Sequence, residues 1–132
     1  MKVAALLDSD NAGDQAANQD VLVHRLGAKR ILRTSDFTTP KIAKAEIEDL
    51  IRHTLVAMAK ADLGWDIETE ATAEPTRPIV DIFQKKVGNS FSKYKMSKAF
   101  LRWARDHTAK DLIASEVDDC TKLINAVNSA LK

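Results

Sequence analysis

The chain opens on an apolar run, Val3-Ala4-Ala5-Leu6-Leu7, which ends in Asp8-Ser9-Asp10-Asn11-Ala12-Gly13. A short apolar run closed by turn residues is predicted to be a buried strand, here followed by a helix. The strand delivers two carboxylates to its C-terminal end, which in open α/β sheets is where ligands bind. Like charges so close raise one another's pKa, and a divalent cation removes that penalty. Asp8 and Asp10 thus point to an α/β fold with a magnesium-type metal site. The competing reading is structural, because Asp is also a favoured helix N-cap and turn residue.

The helix expected over residues 13–26 places Ala16, Val23 and Leu26 on one face, with Leu22 beside them. Gly27 stops it, and Arg30-Ile31-Leu32-Arg33 forms the next strand. Strand, helix and strand with short connections make a βαβ unit, which implies parallel pairing and a right-handed crossover. The first strand is apolar on both faces, as expected of a strand covered by helices. A polar loop over 34–40 leads to the acidic knot Glu46-Ile47-Glu48-Asp49-Leu50-Ile51, and a helix over about 54–63 ends at Gly64. An acidic pair before a helix serves either a site or the helix macrodipole.

The acid-rich stretch 66–78, with Pro75 and Pro78, is predicted to be an exposed loop and the place for any internal boundary. It divides the chain into an α/β core at 1–65 and a helical C-terminal extension at 79–132. Helices are expected over 79–87, about 95–106 and about 115–131. On the last, Val117, Cys120, Ile124, Val127 and Leu131 form a core stripe, which makes Cys120 a packing residue. On the one before it, Met96, Ala99, Phe100 and Trp103 form the apolar face.

Charge is segregated. The acids Asp62, Asp66, Glu68, Glu70, Glu74 and Asp81 precede a stretch, 82–105, that has no acid at all. Within that stretch Lys95, Lys98, Arg102 and Arg105 recur at helical steps on a face of their own. Such a stripe suits the backbone of a nucleic acid, or is a solvated face that balances the acidic segment. Otherwise the chain has the make-up of a single soluble globular domain, with 132 residues, 45% of them hydrophobic and 30% charged. No apolar stretch is long enough for a bilayer, and a lone cysteine fits a cytoplasmic setting. His24, His53 and His107 lack metal-ligand spacing, Trp65 and Trp103 are assigned to packing, and Ser9 has no general base near it in sequence.

Several families end a strand in Asp-x-Asp, and the neighbouring residues separate them. Ala12 stands where a haloacid-dehalogenase-like phosphatase has Thr or Val. An EF-hand needs a polar ligand at that position and a bidentate Glu where Gln19 stands. Asp8-Ser9-Asp10-Asn11-Ala12-Gly13 instead resembles the second acidic motif of the Toprim fold, shared by topoisomerases, bacterial primases and certain nucleases. Leu6-Leu7-Asp8-Ser9-Asp10, the βαβ unit and Ala45-Glu46-Ile47-Glu48-Asp49-Leu50-Ile51 are similar to the Toprim region of the OLD (overcoming lysogenization defect) family. There an ATPase module is joined to a metal-dependent nuclease. Lys95-Met96-Ser97-Lys98-Ala99 resembles a lysine-containing segment at the start of a late helix in those enzymes.

The resemblance implies a partial Toprim-like βαβ parallel sheet with a helical C-terminal extension, and a two-metal phosphodiester hydrolase acting on DNA. Asp8 and Asp10 would hold one Mg2+ or Mn2+, and Glu46, Glu48 or Asp49 would help with a second. Lys95 would offset charge on the phosphate in the transition state, so that Asp8, Asp10, Glu48 and Lys95 form the expected catalytic set. Gly13 would let the backbone turn tightly behind the metals. DNA would lie along Lys95, Lys98, Arg102 and Arg105. The Toprim fold also carries a glutamate on a strand upstream of Asp-x-Asp, where this chain has only Met1 and Lys2. The resemblance therefore implies the C-terminal piece of a longer nuclease, a truncated gene product, or a subunit completed by another chain, with an ATPase domain or subunit supplying the upstream segment; homo-oligomers are a further expectation. The alternative is a catalytically inactive remnant that binds metal or a partner.

Overall fold

The computed structural model describes residues 1–132, which form a mostly helical fold around a small parallel sheet. Strand β1 (Ala5–Leu7) lies beside β2 (Ile31–Arg33), with Ala5 opposite Ile31, Leu6 opposite Leu32 and Leu7 opposite Arg33. Parallel strands need a crossover, and here it consists of α1 (Asn11–Ala17) and α2 (Asp20–Leu26). The βαβ unit is present, but its single expected helix is two. Asn18 ends the first, its backbone and side-chain amides both donating to the Asp14 carbonyl, at 3.2 and 2.9 Å. Gly27, at φ 78°, ends the second.

The expected double cover of β1 is not found. Val3 lies outside the strand, and both Val3 and Leu6 are exposed. Val23 is exposed as well, and its neighbours Ala16, Leu22 and Leu26 are only half-buried. Two three-residue strands present too few side chains per face to hold a helical layer on each side.

The core lies beyond the sheet. Helices α3 (Arg52–Leu63), α5 (Ile79–Val87) and α6 (Lys93–Asp106) enclose Leu55, Met58, Ala59, Ile79, Ile82, Phe83, Met96 and Ala99. Phe100 and Trp103 pack against this cluster, as the apolar face of α6 predicts. Trp65 sits 6.2 Å from Phe83 and 5.7 Å from Phe91, ring centre to ring centre, and Trp103 stacks on Phe100 and His107. Gly64 takes the left-handed conformation that ends α3.

Residues 66–78 are not simply an exposed loop. Ile67 is fully buried in the core, and α4 (Glu68–Ala73) follows it. Residues on both sides of this segment share one apolar cluster. Arg52 ties the segment down by donating to the carbonyls of Ala71, Glu74 and Arg77 at 3.2, 2.7 and 2.5 Å. The first of these, Ala71, lies in the last turn of α4, whose carbonyls a short helix leaves without partners.

The last helix, α7 (Ala114–Ala130), departs furthest from expectation. Its buried residues are Glu116 and Asp119, whereas Val117, Ile124 and Leu131 of the expected core stripe are exposed. Cys120 and Val127 are half-buried. The acids turn inward because each finds donors there. Glu116 accepts from the Thr54 amide and hydroxyl at 3.2 and 2.7 Å, in the first turn of α3. Asp119 accepts from the Thr39 amide and hydroxyl at 3.1 and 2.9 Å. A satisfied carboxylate is tolerated in the interior, and a few aliphatic side chains can remain outside at modest cost. No helix is long and apolar enough to cross a membrane.

Glu116→Ala leaves a buried amide and hydroxyl unpaired, and is expected to cost about 1–3 kcal/mol in urea unfolding. Ile124→Ala, on the exposed stripe, is expected to change stability by no more than about 0.5 kcal/mol in the same assay.

Candidate metal centre

The site is built where β1 runs into α1. Asp10 caps α1 in extended conformation, with Oδ1 accepting from the Gly13 amide at 2.7 Å. The capping role is therefore real, and it occupies only one of the two carboxylate oxygens. Gly13 is needed for close approach: a Cβ there would lie 1.7 Å from the Asp8 carbonyl oxygen. Its φ is not positive, so steric room rather than a left-handed turn accounts for the glycine.

A second segment is drawn to the same place by hydrogen bonds at the strand end. The buried Ser9 donates its amide to the Ala45 carbonyl at 2.7 Å and to Thr34 Oγ1 at 3.1 Å. Its hydroxyl oxygen accepts from the Ser35 amide at 3.0 Å, so Ser9 stitches three segments together. Asp8 Oδ1 then accepts from the Ile47 amide at 2.9 Å. Arg33 donates to the Asp8 carbonyl at 2.9 Å and pairs with Asp14, which also holds Lys44 at 2.9 Å.

This stitching brings carboxylate oxygens of Asp8, Asp10 and Glu46 within 4.8 Å of one another. Glu48 lies beside the triad: Lys93 Nζ is 3.3 Å from Glu48 Oε1 and 3.4 Å from Glu46 Oε1. The other oxygen of each glutamate, Oε2, is buried with no hydrogen-bond donor. Donorless buried oxygens in an all-carboxylate set suit a hard cation such as Mg2+ or Mn2+.

Electrostatics agree. Burial pushes the Asp8 carboxyl above its ordinary value, helped by the charges of Glu48 and Asp10 and opposed by the Ile47 amide and Lys93. Burial likewise raises Glu46, with Lys93 pulling the other way. One lysine does not offset this gathering of negative charge.

Two expected site residues lie elsewhere. Asp49 is buried and engaged by structure, accepting from the Glu46 and Ile79 amides at 2.9 and 2.8 Å and pairing with Arg52 at 3.5 Å. Lys95 is exposed on the first turn of α6, with its backbone amide on the Ser92 cap. The lysine at the carboxylates is Lys93. Helical spacing alone does not choose between them, since Lys93 is three residues before the buried Met96 and Lys95 four before the buried Ala99.

Lys95, Lys98, Arg102 and Arg105 are all exposed and take part in no ion pair. At about 100° per residue they lie nearly opposite Lys93 around α6. A cavity of about 730 Å3 between α3, α4 and the start of α7 contains none of Asp8, Asp10, Glu46 or Glu48. Its buried acids, Asp49, Glu116 and Asp119, and the half-buried Arg52 serve the hydrogen bonds described here. No protein-family model matches the chain, and no curated protein or solved structure matches it either.

The raised pKa of Glu46 fixes the sign of a pH effect. The folded state holds that proton more tightly than the unfolded chain, so stability falls as pH rises from the ordinary value of 4.5 through the folded value. In chelator at pH 7, Glu46→Gln is expected to melt above the parent. At about pH 3, where both states are protonated, thermal melts of the two should coincide.

Proposed function

We propose that the chain is the metal-binding part of a divalent-metal-dependent DNA endonuclease of Toprim type, similar to the nuclease region of the OLD family. The observation that carries this reading is the meeting of Asp8, Asp10 and Glu46 from two segments far apart in sequence, at the carboxyl end of a βαβ strand. It is supported by the donorless oxygens of Glu46 and Glu48 and by a lysine at the same place. The residues present fit Mg2+ or Mn2+.

In this reading Asp8, Asp10 and Glu46 hold the cation. When bound, such an ion makes a potent nucleophile of water and polarises a phosphoryl oxygen. The Asp10 hydrogen bond to Gly13 and the Asp8 hydrogen bond to Ile47 fix the two carboxylates before any ligand arrives. Lys93, rather than Lys95, stands where a cation offsets charge developing on the phosphate. The stripe of Lys95, Lys98, Arg102 and Arg105 contacts the nucleic-acid backbone away from the cleaved bond. Each strand of the two-stranded sheet has an edge with no strand beside it, which suits completion by a partner such as an ATPase domain or subunit, or by a second copy.

Plasmid nicking tests the reading. Activity is expected with Mg2+ or Mn2+ and not in chelator, and Asp10→Asn is expected to lower it by roughly a hundredfold or more. Undiminished nicking by Asp10→Asn would rule out the assignment, and calorimetry showing no Mn2+ binding by the parent would remove the site altogether.

A further inference from the structure

We infer that the chain pairs with a second copy of itself along α7, through the aliphatic stripe that the core leaves outside. The inference rests on no part of the metal reading.

The stripe is regular. Ile113, Val117, Cys120, Ile124, Val127 and Leu131 follow one another at steps of four, three, four, three and four residues, from the N-cap of α7 to its C-cap. This is the seven-residue alternation by which two helices interlock their side chains along a seam, and β-branched Val117 and Ile124 at equivalent positions suit two strands. The contact of α7 with its own body does not use it. That contact belongs to Glu116 and Asp119, and Val117 stands about 100° round the axis from Glu116. Ile124 is 59% exposed, Ile113, Val117 and Leu131 are exposed with it, and Cys120 and Val127 are half-buried on the side nearer the body.

Charge selects the occupant. Choice of partner along such a seam is usually set by charged residues that flank it. The outer flank here is Ala114, Thr121 and Asn128, none of them charged. Two-fold pairing sets a surface against its own copy, and a face without charge meets that requirement. Asn128 adds a donor and an acceptor together, so it too can face its like. The net charge of +1 puts little long-range repulsion between two copies. The exposed aliphatic of α6 is the opposite case: Leu101 stands among Lys98, Arg102 and Arg105, which repel their own kind.

Length sets the strength. From Ile113 to Leu131 the seam runs about 27 Å, and a single pair of helices of that length buries less than the roughly 1,600 Å2 of a standard interface. The helix is already formed in the monomer, so no backbone has to be ordered on pairing. The dimer is therefore a weak one, with a dissociation constant in roughly the micromolar range. In more dilute solution the monomer prevails, and there Ile124 adds little to stability.

Sedimentation equilibrium in chelator, from roughly 1 µM to 1 mM chain, is expected to show a monomer that passes to a dimer and stops there. Ile124→Glu puts a like charge into both halves of the seam, and is expected to weaken the dimer by about tenfold or more with circular dichroism unchanged. Should that variant misfold, Asn128→Glu, on the exposed flank, is read in its place. Leu101→Glu, at the exposed aliphatic of α6, is expected to leave the dimer as strong as in the parent. A parent that stays monomeric throughout overturns the inference, because α7 is then covered by a different partner or by none. A dimer of unchanged strength in Ile124→Glu also overturns it by placing the interface elsewhere, as does association that continues past two copies.

Discussion

The carboxylate of Asp49 is the interaction on which both halves of the molecule depend. It is buried, and burial pushes its pKa up, yet two backbone amides and Arg52 surround it. One of those amides, that of Ile79, belongs to the first residue of α5; the other, that of Glu46, opens the turn that carries Glu46 and Glu48. A single side chain thereby sets the start of a core helix and the orientation of the acidic turn. Arg52 extends the link by satisfying three carbonyls around α4. Removing one member of a buried ion pair leaves the other uncompensated, which costs far more than the pair itself contributes. The acidic cluster therefore leans on Asp49, although Asp49 takes no part in it.

The cluster itself works against folding. Asp8 and Glu46 are both held above their ordinary pKa, chiefly because burial disfavours their charged forms. Lys93 and the backbone donors soften that penalty without cancelling it. Such tension is expected where a protein keeps anionic groups together for a ligand rather than for stability. A cation bound as proposed would reverse the balance, since binding to the folded state alone adds stability by mass action.

Much of this was legible in the sequence, for identifiable reasons. The β1 terminus, the parallel pairing, the ends of α3 and the apolar face of α6 follow from apolar period and from Gly27 and Gly64, which are local signals. A meeting of Asp8 and Asp10 with Glu46, Glu48 or Asp49 is what the family resemblance implies, without saying which, whereas the hydrogen bonds that bring Glu46 there run through Ser9 and Thr34, which carry no such signal. The orientation of α7 was not legible. Its aliphatic stripe satisfies helical spacing as well as any core helix, and only the tertiary partners Thr54 and Thr39 explain why Glu116 and Asp119 turn inward. Lys93 was missed in favour of Lys95 because the resemblance fixes a segment, not a rotational setting, and two residues change the direction of a helical side chain by about 200°.

That rotational setting also bears on how a nucleic acid would meet the protein. The same helix holds Lys93 against the glutamates and turns Lys95, Lys98, Arg102 and Arg105 to nearly the opposite side. A helix with its side chains is about 10–12 Å across, so cluster and stripe are separated by roughly that width. A phosphate backbone lying straight along the stripe does not pass over the carboxylates. One strand that touches both has to turn round the amino end of α6, whereas a duplex, whose two backbones lie apart, can set one against each side. The exposed Tyr94 carries Lys98 over its ring, 5.1 Å from the ring centre, at the end of the helix where that turn would be made. The core thus does more than stabilise: by fixing the rotation of α6 through Met96 and Ala99, it decides which cations face the carboxylates and which face away.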